Sequence, residues 1–269
     1  MALRCVYTDL DGTLLGKGGS LFRDAEGRFS RAQSRALEAL DRAGVELVVK
    51  SGRREAQVME DSRLMGQSAY IYEAGCAIVI DGERTYLTGE MVTDEQGTVY
   101  EKIVAAGVPD LLTGAFPERL EYHEPWHVGR ELSHLFRGKV DVAEANALLV
   151  ENGHQGLRFL DNGAIARTMR GIDVAHAYHL VPAGASKANA VAFHMRARGY
   201  EAEQCIAIGD SAEDLEVADV VGRFFVPANG PARDPGIREA IAGRPNVTVT
   251  EGAMGDGFYE AVVGTLAGS

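Results

Sequence analysis

The chain has 269 residues, a length that suits one large domain or two modest ones. Its hydrophobic content of 46% and charged content of 25% are those of an ordinary globular protein, which excludes a disordered or collagen-like chain. The formal net charge of −12 disfavours binding to nucleic acid or to an anionic membrane surface, because both are themselves negatively charged.

The first third of the chain alternates predicted strands and helices. Three strands are predicted here, at Leu3–Thr8, Val45–Val49 and Ala69–Tyr72. The helix between the first two follows a capping-box pattern at Ser30 and Gln33 and ends at Gly44. A second helix is predicted over Glu55–Met65. This order is typical of a parallel sheet with right-handed crossovers.

The same alternation returns in the last third of the chain. Helices are predicted at Ser186–Arg198, Ala212–Ala218, Ile237–Ala242 and Gly257–Leu266. Strands are predicted at Gln204–Ile208, Phe224–Pro227 and Val247–Thr250. The two thirds together predict an α/β fold with a Rossmann-like parallel sheet.

The middle of the chain has a different and irregular order. Strand-like and helix-like pieces occur at Thr85–Leu87, Thr93–Ala106, Val142–Asn152, Ile165–Met169 and Val174–Val181. We therefore predict an α+β domain, residues 82–181, inserted into a core that residues 1–81 and 182–269 form.

Polar side chains follow the predicted strands of the core. Those at strand ends are Asp9, Asp11, Ser51, Gly52, Asp210, Ser211 and Asp214, and Lys187 opens the helix before the strand that ends at Ile208. Ligands of an open parallel sheet bind beyond the carboxyl ends of its strands, so we expect these groups to converge.

The chemistry of this set can be argued from the residue types. Several carboxylates in one cleft require a cation, and hard oxygen ligands favour Mg²⁺. Asp9 can attack phosphorus as a nucleophile, while Asp11 can protonate the leaving group and then activate water. Ser51 with Gly52, and the ammonium group of Lys187, can hold the non-bridging phosphate oxygens.

Four segments resemble, in order, the motifs of the haloacid dehalogenase superfamily. They are Asp9-Leu10-Asp11-Gly12-Thr13-Leu14, Val48-Val49-Lys50-Ser51-Gly52-Arg53, Ser186-Lys187 and Gly209-Asp210-Ser211-Ala212-Glu213-Asp214. The resemblance implies Mg²⁺ and an aspartyl-phosphate intermediate, with Asp9 as nucleophile and Asp11 as acid and base. It also implies that Asp9, the Asp11 carbonyl and Asp210 hold the metal. Supporting roles at the same site are implied for Thr13, Ser211 and Asp214.

The predicted insertion resembles the type-2 cap of that superfamily. Glu73-Ala74-Gly75 looks like the Glu-Asn-Gly that precedes such a cap, and residues 251–258 resemble the branch of mannosyl-3-phosphoglycerate and sucrose-phosphate phosphatases. Two positions depart from the pattern. Ala74 stands where Asn is usual, and Glu213 stands where Asn is often found.

Structural alternatives exist for each site residue. Ser51 and Ser211 could be turn or cap residues, Lys187 a solvated helix residue and Asp214 a partner of the helix dipole. Function is favoured for Ser51 by the buried strand before it. For Lys187 it is favoured because the set otherwise lacks a cation.

The insertion also contains candidate residues, for which we expect structural roles. Pro125 interrupts any helix that would pair His123 with His127 as metal ligands, so a cap loop is expected there. Core packing is expected for Trp126, and opposite strand faces for His176 and His179. We expect a solvated surface for three arginines, Arg130, Arg167 and Arg170.

The sequence therefore predicts a phosphatase, a Mg²⁺-dependent phosphomonoester hydrolase, acting on a small phosphorylated metabolite such as a sugar phosphate or phosphoglycerate derivative. The alternatives are a phosphomutase and a phosphoacceptor switch that does not turn over. We expect a cytoplasmic monomer or homodimer that binds neither nucleic acid nor membrane. Its three cysteines, Cys5, Cys76 and Cys205, are expected to be buried and reduced.

Overall fold

The computed structural model describes residues 2–165 and 167–268. Within these residues the strands are β1 (Cys5–Thr8), β2 (Glu46–Lys50), β3 (Tyr70–Tyr72), β4 (Ala77–Ile80), β5 (Glu83–Tyr86), β6 (Leu120–Tyr122), β7 (His134–Gly138), β8 (Leu157–Ala164), β9 (His176–Pro182), β10 (Cys205–Ile208), β11 (Arg223–Val226) and β12 (Val247–Val249). The helices are α1 (Ala32–Ala43), α2 (Glu55–Leu64), α3 (Val99–Ala105), α4 (Val108–Ala115), α5 (Val142–Glu151), α6 (Lys187–Arg198), α7 (Ala212–Leu215), α8 (Asn229–Arg233), α9 (Pro235–Ile241) and α10 (Gly255–Ala267).

The larger sheet has β1 near its centre and the strand order β12-β11-β10-β1-β2-β3-β4-β5. The strands from β12 to β3 run parallel, and β4 and β5 add an antiparallel edge. Thr8 pairs with Ile208 on one side and with Val49 on the other, so three strands end at the same level. The predicted α/β fold with a parallel core sheet is confirmed.

Both faces of this sheet are covered by helices, which explains why its strands are apolar on both sides. Val6 of β1 packs in the cluster that contains Leu40 of α1 and Phe258 of α10. Cys5 and Tyr7 point to the opposite face and pack in the cluster that contains Val191 of α6. Alternate residues of one strand therefore belong to different layers.

The smaller sheet is antiparallel, with the order β6-β7-β9-β8. Four rings form a row across it, Tyr122, Phe136, Phe159 and Tyr178, with neighbouring centroids 5.0, 6.1 and 5.0 Å apart. Helices α4 and α5 pack against the same sheet, beside β6 and β8 respectively. The sheet is thus built on an aromatic layer covered by helices.

The structure corrects several predictions in the irregular middle of the chain. The expected strand at Ile165–Met169 is not formed by its described members, and Ala166 lies outside the described residues. The strand found in this part of the chain, β8, ends just before the predicted one. Three further elements were not predicted, namely α4, β6 and β7. The predicted boundary at residue 82 also falls before β5, which pairs with β4 in the larger sheet. The division into core and inserted domain stays a prediction.

The predicted capping box at Ser30 and Gln33 is wrong. Helix α1 begins one residue after Arg31, and the Gln33 side chain instead donates to the Arg23 carbonyl over 2.8 Å. The predicted stop at Gly44 is confirmed, since this residue adopts the left-handed conformation with φ 63°. Along the described residues, the structure contains no helix long and apolar enough for a membrane span.

Candidate active site

The turn after β1 places Asp9 at the centre of the sheet edge. The Asp9 N–H donates to the Ile208 carbonyl over 3.0 Å, which continues the pairing of β1 with β10 beyond the strand. Only 7% of Asp9 is exposed. Burial raises the pKa of Asp9 to about 6, although the nearby Lys187 opposes the shift.

Gly12 allows this turn to approach Asp210 closely. Its φ is +82°, and a Cβ at this position would lie 2.2 Å from Oδ2 of Asp210. A side chain would therefore meet both an unfavourable backbone conformation and a carboxylate.

We expect Gly12→Ala to disturb the site more than a glycine replacement elsewhere. The matched control is Gly44→Ala, because Gly44 also has positive φ (+63°) but nothing within 4 Å of its notional Cβ. The control should lose about 1–2 kcal/mol of unfolding free energy from the backbone alone. Gly12→Ala should lose more, measured by urea denaturation, because Asp210 must move. Equal losses would contradict the close approach.

Lys187 is a buried cation at the start of α6, directly after the N-cap Ser186. Its Nζ lies 3.0 Å from Asp214, 3.4 Å from Asp9 and 3.4 Å from Glu213. Burial alone would lower its pKa, but these three carboxylates raise the pKa of Lys187 well above its usual range. The ammonium group is therefore kept charged beside the nucleophile predicted at Asp9.

The Asp214 carboxylate accepts hydrogen bonds from two lysines. Its Oδ1 accepts from Lys50 Nζ over 2.5 Å and from Lys187 Nζ over 3.0 Å, and its Oδ2 accepts from Ser211 Oγ over 2.8 Å. Ser211 also caps α7 through the Asp214 N–H. Burial raises the pKa of Asp214, but the two lysines outweigh it and hold the pKa below its usual range.

Asp210 is the third acid of the cluster. Oxygen atoms of Asp9, Asp210 and Asp214 lie within 4.8 Å of one another. Thr13 Oγ1 donates to Asp210 Oδ1 and Asn229 Nδ2 to Oδ2, each over 3.0 Å. Burial raises the pKa of Asp210 to about 7, and Asp9 and Asp214 add to the shift.

These residues fit a divalent cation. Asp9, Asp210, Glu213 and Asp214 carry one charge each when ionised, and Lys50 and Lys187 neutralise two of them. A hard divalent ion would neutralise the remainder, and carboxylate oxygens are its preferred donors. Asp214 is bound by two lysine cations, whereas Asp210 accepts only from the neutral Thr13 and Asn229, so Asp9 and Asp210 are the better side-chain ligands.

The structure does not bring the Asp11 carboxylate into this cluster. Its two oxygens accept from Nε and Nη2 of Arg53 over 2.7 Å each, and 59% of the side chain is exposed. Arg53 is in turn held by Asp61 of α2 over 2.8 Å. Asp11 thus stands at the rim of the site, tethered to the loop that follows Ser51.

The Ser51–Gly52 loop is buried beneath the smaller sheet. The Ser51 N–H donates to the Ile71 carbonyl over 3.0 Å, and Arg130 donates to the Gly52 carbonyl over 2.9 Å. A Cβ on Gly52 would lie 2.4 Å from Nε2 of His179. Only glycine therefore fits between this loop and β9.

Several residues near the site were missed or misjudged by sequence reasoning. Lys50, the last residue of β2, is fully buried, and no pattern distinguished it from a solvated lysine. Asn229 donates to the Gly12 carbonyl and accepts from the Met254 N–H, and its position three residues after β11 was a usable signal. Arg130, expected to be solvated, is 7% exposed, and Trp126, expected in the core, is 49% exposed.

The histidines of the smaller sheet have separate partners. His176 Nδ1 lies 2.7 Å from Asp161, whereas His179 faces Gly52, so the predicted opposite faces are confirmed. Asn162 of β8 also reaches the site, with Oδ1 at 3.4 Å from Lys187 Nζ. The two strands β8 and β9 therefore supply polar groups above the cluster.

Comparison with known proteins shows which proteins this chain resembles. A model of the haloacid dehalogenase-like hydrolases matches residues 173–233, which contain Lys187, Asp210 and Asp214. A phosphoglycolate phosphatase of Methanoculleus marisnigri is 24% identical over 97% of this chain and 95% of its own length. This chain is therefore similar to haloacid dehalogenase-like hydrolases over the matched segment, and to phosphoglycolate phosphatases over nearly its whole length. The predicted resemblance and the predicted enzyme class, a phosphatase, are confirmed.

Other proteins are also similar to this chain over nearly its whole length. A phosphoglycolate phosphatase of Methanothermobacter thermautotrophicus is 24% identical over 97% of both chains. The fold is shared with a solved protein of Thermoplasma acidophilum, with TM-score 0.65, 17% identity and coverage of 98% of this chain and 99% of that one. It is also shared with the sucrose-phosphatase of Synechocystis sp., with TM-score 0.66, 15% identity and coverage of 98% of both chains.

Proposed function

We propose that this hydrolase is a Mg²⁺-dependent phosphomonoesterase that works through a phosphorylated Asp9. The observation that carries the proposal is the convergence of Asp9, Asp210 and Lys187 at one edge of the larger sheet. Asp9 and Asp210 would hold Mg²⁺ together with the Asp11 carbonyl, and the bound ion would supply positive charge to the phosphate oxygens.

The first step is attack of an Asp9 carboxylate oxygen on phosphorus. A new oxygen–phosphorus bond forms while the ester oxygen leaves, and Asp11 gives that oxygen its proton. Lys187, 3.4 Å from Asp9, is placed to stabilise the negative charge on the transferring group. The Ser51 and Gly52 loop would bind the other phosphate oxygens.

The second step is hydrolysis of the acyl phosphate. Asp11, now ionised, takes a proton from water, whose oxygen attacks phosphorus and releases Asp9. Asp11 has the freedom to serve in both steps because it lies at the rim and more than half of its side chain is exposed. Its contact with Arg53 must loosen for the carboxyl group to turn toward the substrate.

The smaller sheet would act as a cap that selects the substrate. Glu73 attaches it to the core, since its carboxylate accepts from the N–H groups of Glu131 and Leu132 and from Ser133 Oγ. Asn162 and His179 come so close to Lys187 and Gly52 that the space over the cluster suits a small leaving group. We propose a small phosphorylated acid of the phosphoglycolate type, as the names of the curated relatives suggest, ahead of a sugar phosphate.

A phosphate-release screen tests this function. The purified chain with Mg²⁺ is offered phosphoglycolate, phosphoglycerates and sugar phosphates, and free phosphate is measured. We expect turnover, with phosphoglycolate among the best substrates. No release from any of them would overturn the hydrolase, and isomerised product without phosphate would indicate a phosphomutase. Uptake of a single phosphate per chain would indicate a switch.

We expect Mg²⁺ to stabilise the folded chain, because it relieves repulsion among the buried acids. At a concentration of 100 times its Kd the gain should be about 2.7 kcal/mol, visible as a rise in melting temperature. Asp210→Asn should remove most of that rise and most of the activity. Asp219→Asn, an exposed acid paired with Arg244, is the control that should keep both. A full Mg²⁺ response in Asp210→Asn would contradict the assigned ligand.

A further inference from the structure

A second group of metal-binding side chains lies at the opposite end of β1. Donor atoms of Cys5, Glu46 and His194 lie within 4.8 Å of one another. Cys5 begins β1, Glu46 begins β2 and pairs with it, and His194 projects from α6. This group, which we call the Cys–Glu–His cluster, stands four residues before Asp9, about 13 Å away along the strand.

The imidazole of His194 is fully buried and has one nitrogen without a hydrogen-bond partner. Its Nδ1 lies 2.8 Å from Tyr7 Oη, while Nε2 has no hydrogen bond and lies 3.5 Å from a Glu46 oxygen. When Nδ1–H donates to Tyr7, the Nε2 lone pair points into the cluster. Such an outer contact fixes the tautomer and orientation of many metal-binding histidines.

Cys205 adds a second sulfur beside the cluster. It pairs with Cys5 in the parallel register of β1 and β10, so both cysteines lie on the same face of the sheet and pack in the same cluster. Both cysteines are free and buried. Two thiols, one imidazole and one carboxylate form the donor set of a four-coordinate zinc site, whereas Mg²⁺ prefers oxygen ligands alone.

We propose that Cys5, Cys205, His194 and Glu46 bind one Zn²⁺ in a closed structural site. The ion would join β1, β2, β10 and α6 at the end of the sheet that carries no catalytic group. Glu46 is already oriented for this role, because its oxygens accept from Arg198 over 3.1 Å and from Tyr200 over 2.9 Å. The guanidinium of Arg198 would also balance the negative charge of two thiolates and a carboxylate around a divalent ion.

Co²⁺ is the probe that tests the site on the purified chain. Titration is done with saturating Mg²⁺ present, so that the acids around Asp9 do not compete. We expect one Co²⁺ per chain, a thiolate-to-cobalt charge-transfer band and the intense visible bands of four-coordinate cobalt. Added Zn²⁺ should displace the cobalt and abolish these bands.

Variants assign the bands to the cluster. Cys5→Ser should weaken the charge-transfer band, because one of the two thiolates is lost, whereas Cys76→Ser, a buried cysteine elsewhere, should leave it unchanged. Tyr7→Phe should keep the band but weaken affinity by about 10–100-fold, since it removes only the orienting contact. Circular dichroism checks that each variant is folded.

The proposal is overturned if no charge-transfer band appears. It is also overturned if Cys5→Ser, correctly folded, retains the full band. If Cys5→Ser does not fold, His194→Gln is measured instead. The proposal predicts that this variant loses the visible bands of four-coordinate cobalt, and it is overturned if a folded His194→Gln keeps them. Because the measurement uses no phosphorylated substrate, its outcome is independent of the proposed phosphatase reaction.

Discussion

Replacing Asp9 with Asn is expected to lower phosphate release by at least about 10⁴-fold, the scale on which removal of a catalytic nucleophile acts. The amide has nearly the same shape as the carboxylate but cannot form the acyl phosphate. Stability should not fall in parallel, because burial already disfavours the charged form of Asp9. The measurements are phosphate release and the melting temperature of the same preparation.

The control for this substitution is Asp94→Asn. Asp94 is paired with Lys102 in the segment before α3, far from the described cluster in sequence, so phosphate release should be unchanged. Asp11→Asn removes the acid of the first step and the base of the second. With a substrate whose leaving group needs no proton, this variant should still phosphorylate Asp9 but should hydrolyse the acyl phosphate slowly. Labelled phosphate would then be trapped on the Asp11 variant and not on the Asp9 variant. Near-normal turnover by Asp9→Asn would refute the assignment of the nucleophile.

The core of the fold could be predicted because its strands carry a strong local pattern. Short apolar runs, each followed by a helical pattern, predict a parallel sheet whose strands are buried on both faces. We predicted the convergence of Asp9, Ser51 and Asp210 from one topological rule about strand ends. The rule requires β10, β1 and β2 to be neighbours, and the strand order shows that they are.

The middle of the chain could not be predicted as well, because its signals are weaker. Strand β8 contains the polar run Asp161-Asn162-Gly163 near its end, and the Asn162 side chain reaches toward the cluster instead of packing in a core. Alternation of polar and apolar residues is thus lost where function requires polar groups on a strand. Trp126 was misjudged for the opposite reason, since a large ring predicts burial wherever it lies.

The two departures from the family pattern have physical explanations. Ala74 has φ 57° and ψ 33°, a left-handed conformation that Asn tolerates better than Ala. This backbone conformation explains why Asn is usual at the position. Glu213 is buried with its oxygens unpaired by hydrogen bonds except for the ion pair with Lys187. Burial raises its pKa to about 7. An Asn at this position would carry no charge to bury, so the stability of this chain depends more strongly on the ion pair of Glu213 with Lys187.

That dependence makes Lys187→Met the substitution with the largest expected effect on stability. Removing the ammonium group leaves Asp9, Glu213 and Asp214 buried with one cation fewer, and breaking a buried ion pair costs about 3–5 kcal/mol. Urea denaturation should show this loss. Activity should also disappear, because no other cation within the described residues lies in hydrogen-bond contact with Asp9.

Two further lysine variants separate charge balance from catalysis. Lys50→Met removes a cation that contacts Asp214 but not Asp9, so it should cost similar stability and leave measurable turnover. Lys102→Met breaks a surface pair with Asp94 and should cost no more than about 1 kcal/mol. Adding Asp214→Asn to Lys187→Met should restore much of the stability, because it removes one of the unpaired carboxylates, but none of the activity. If that double variant were active, Lys187 would serve only to neutralise its neighbours, and the transferring phosphate would have to be stabilised by other groups.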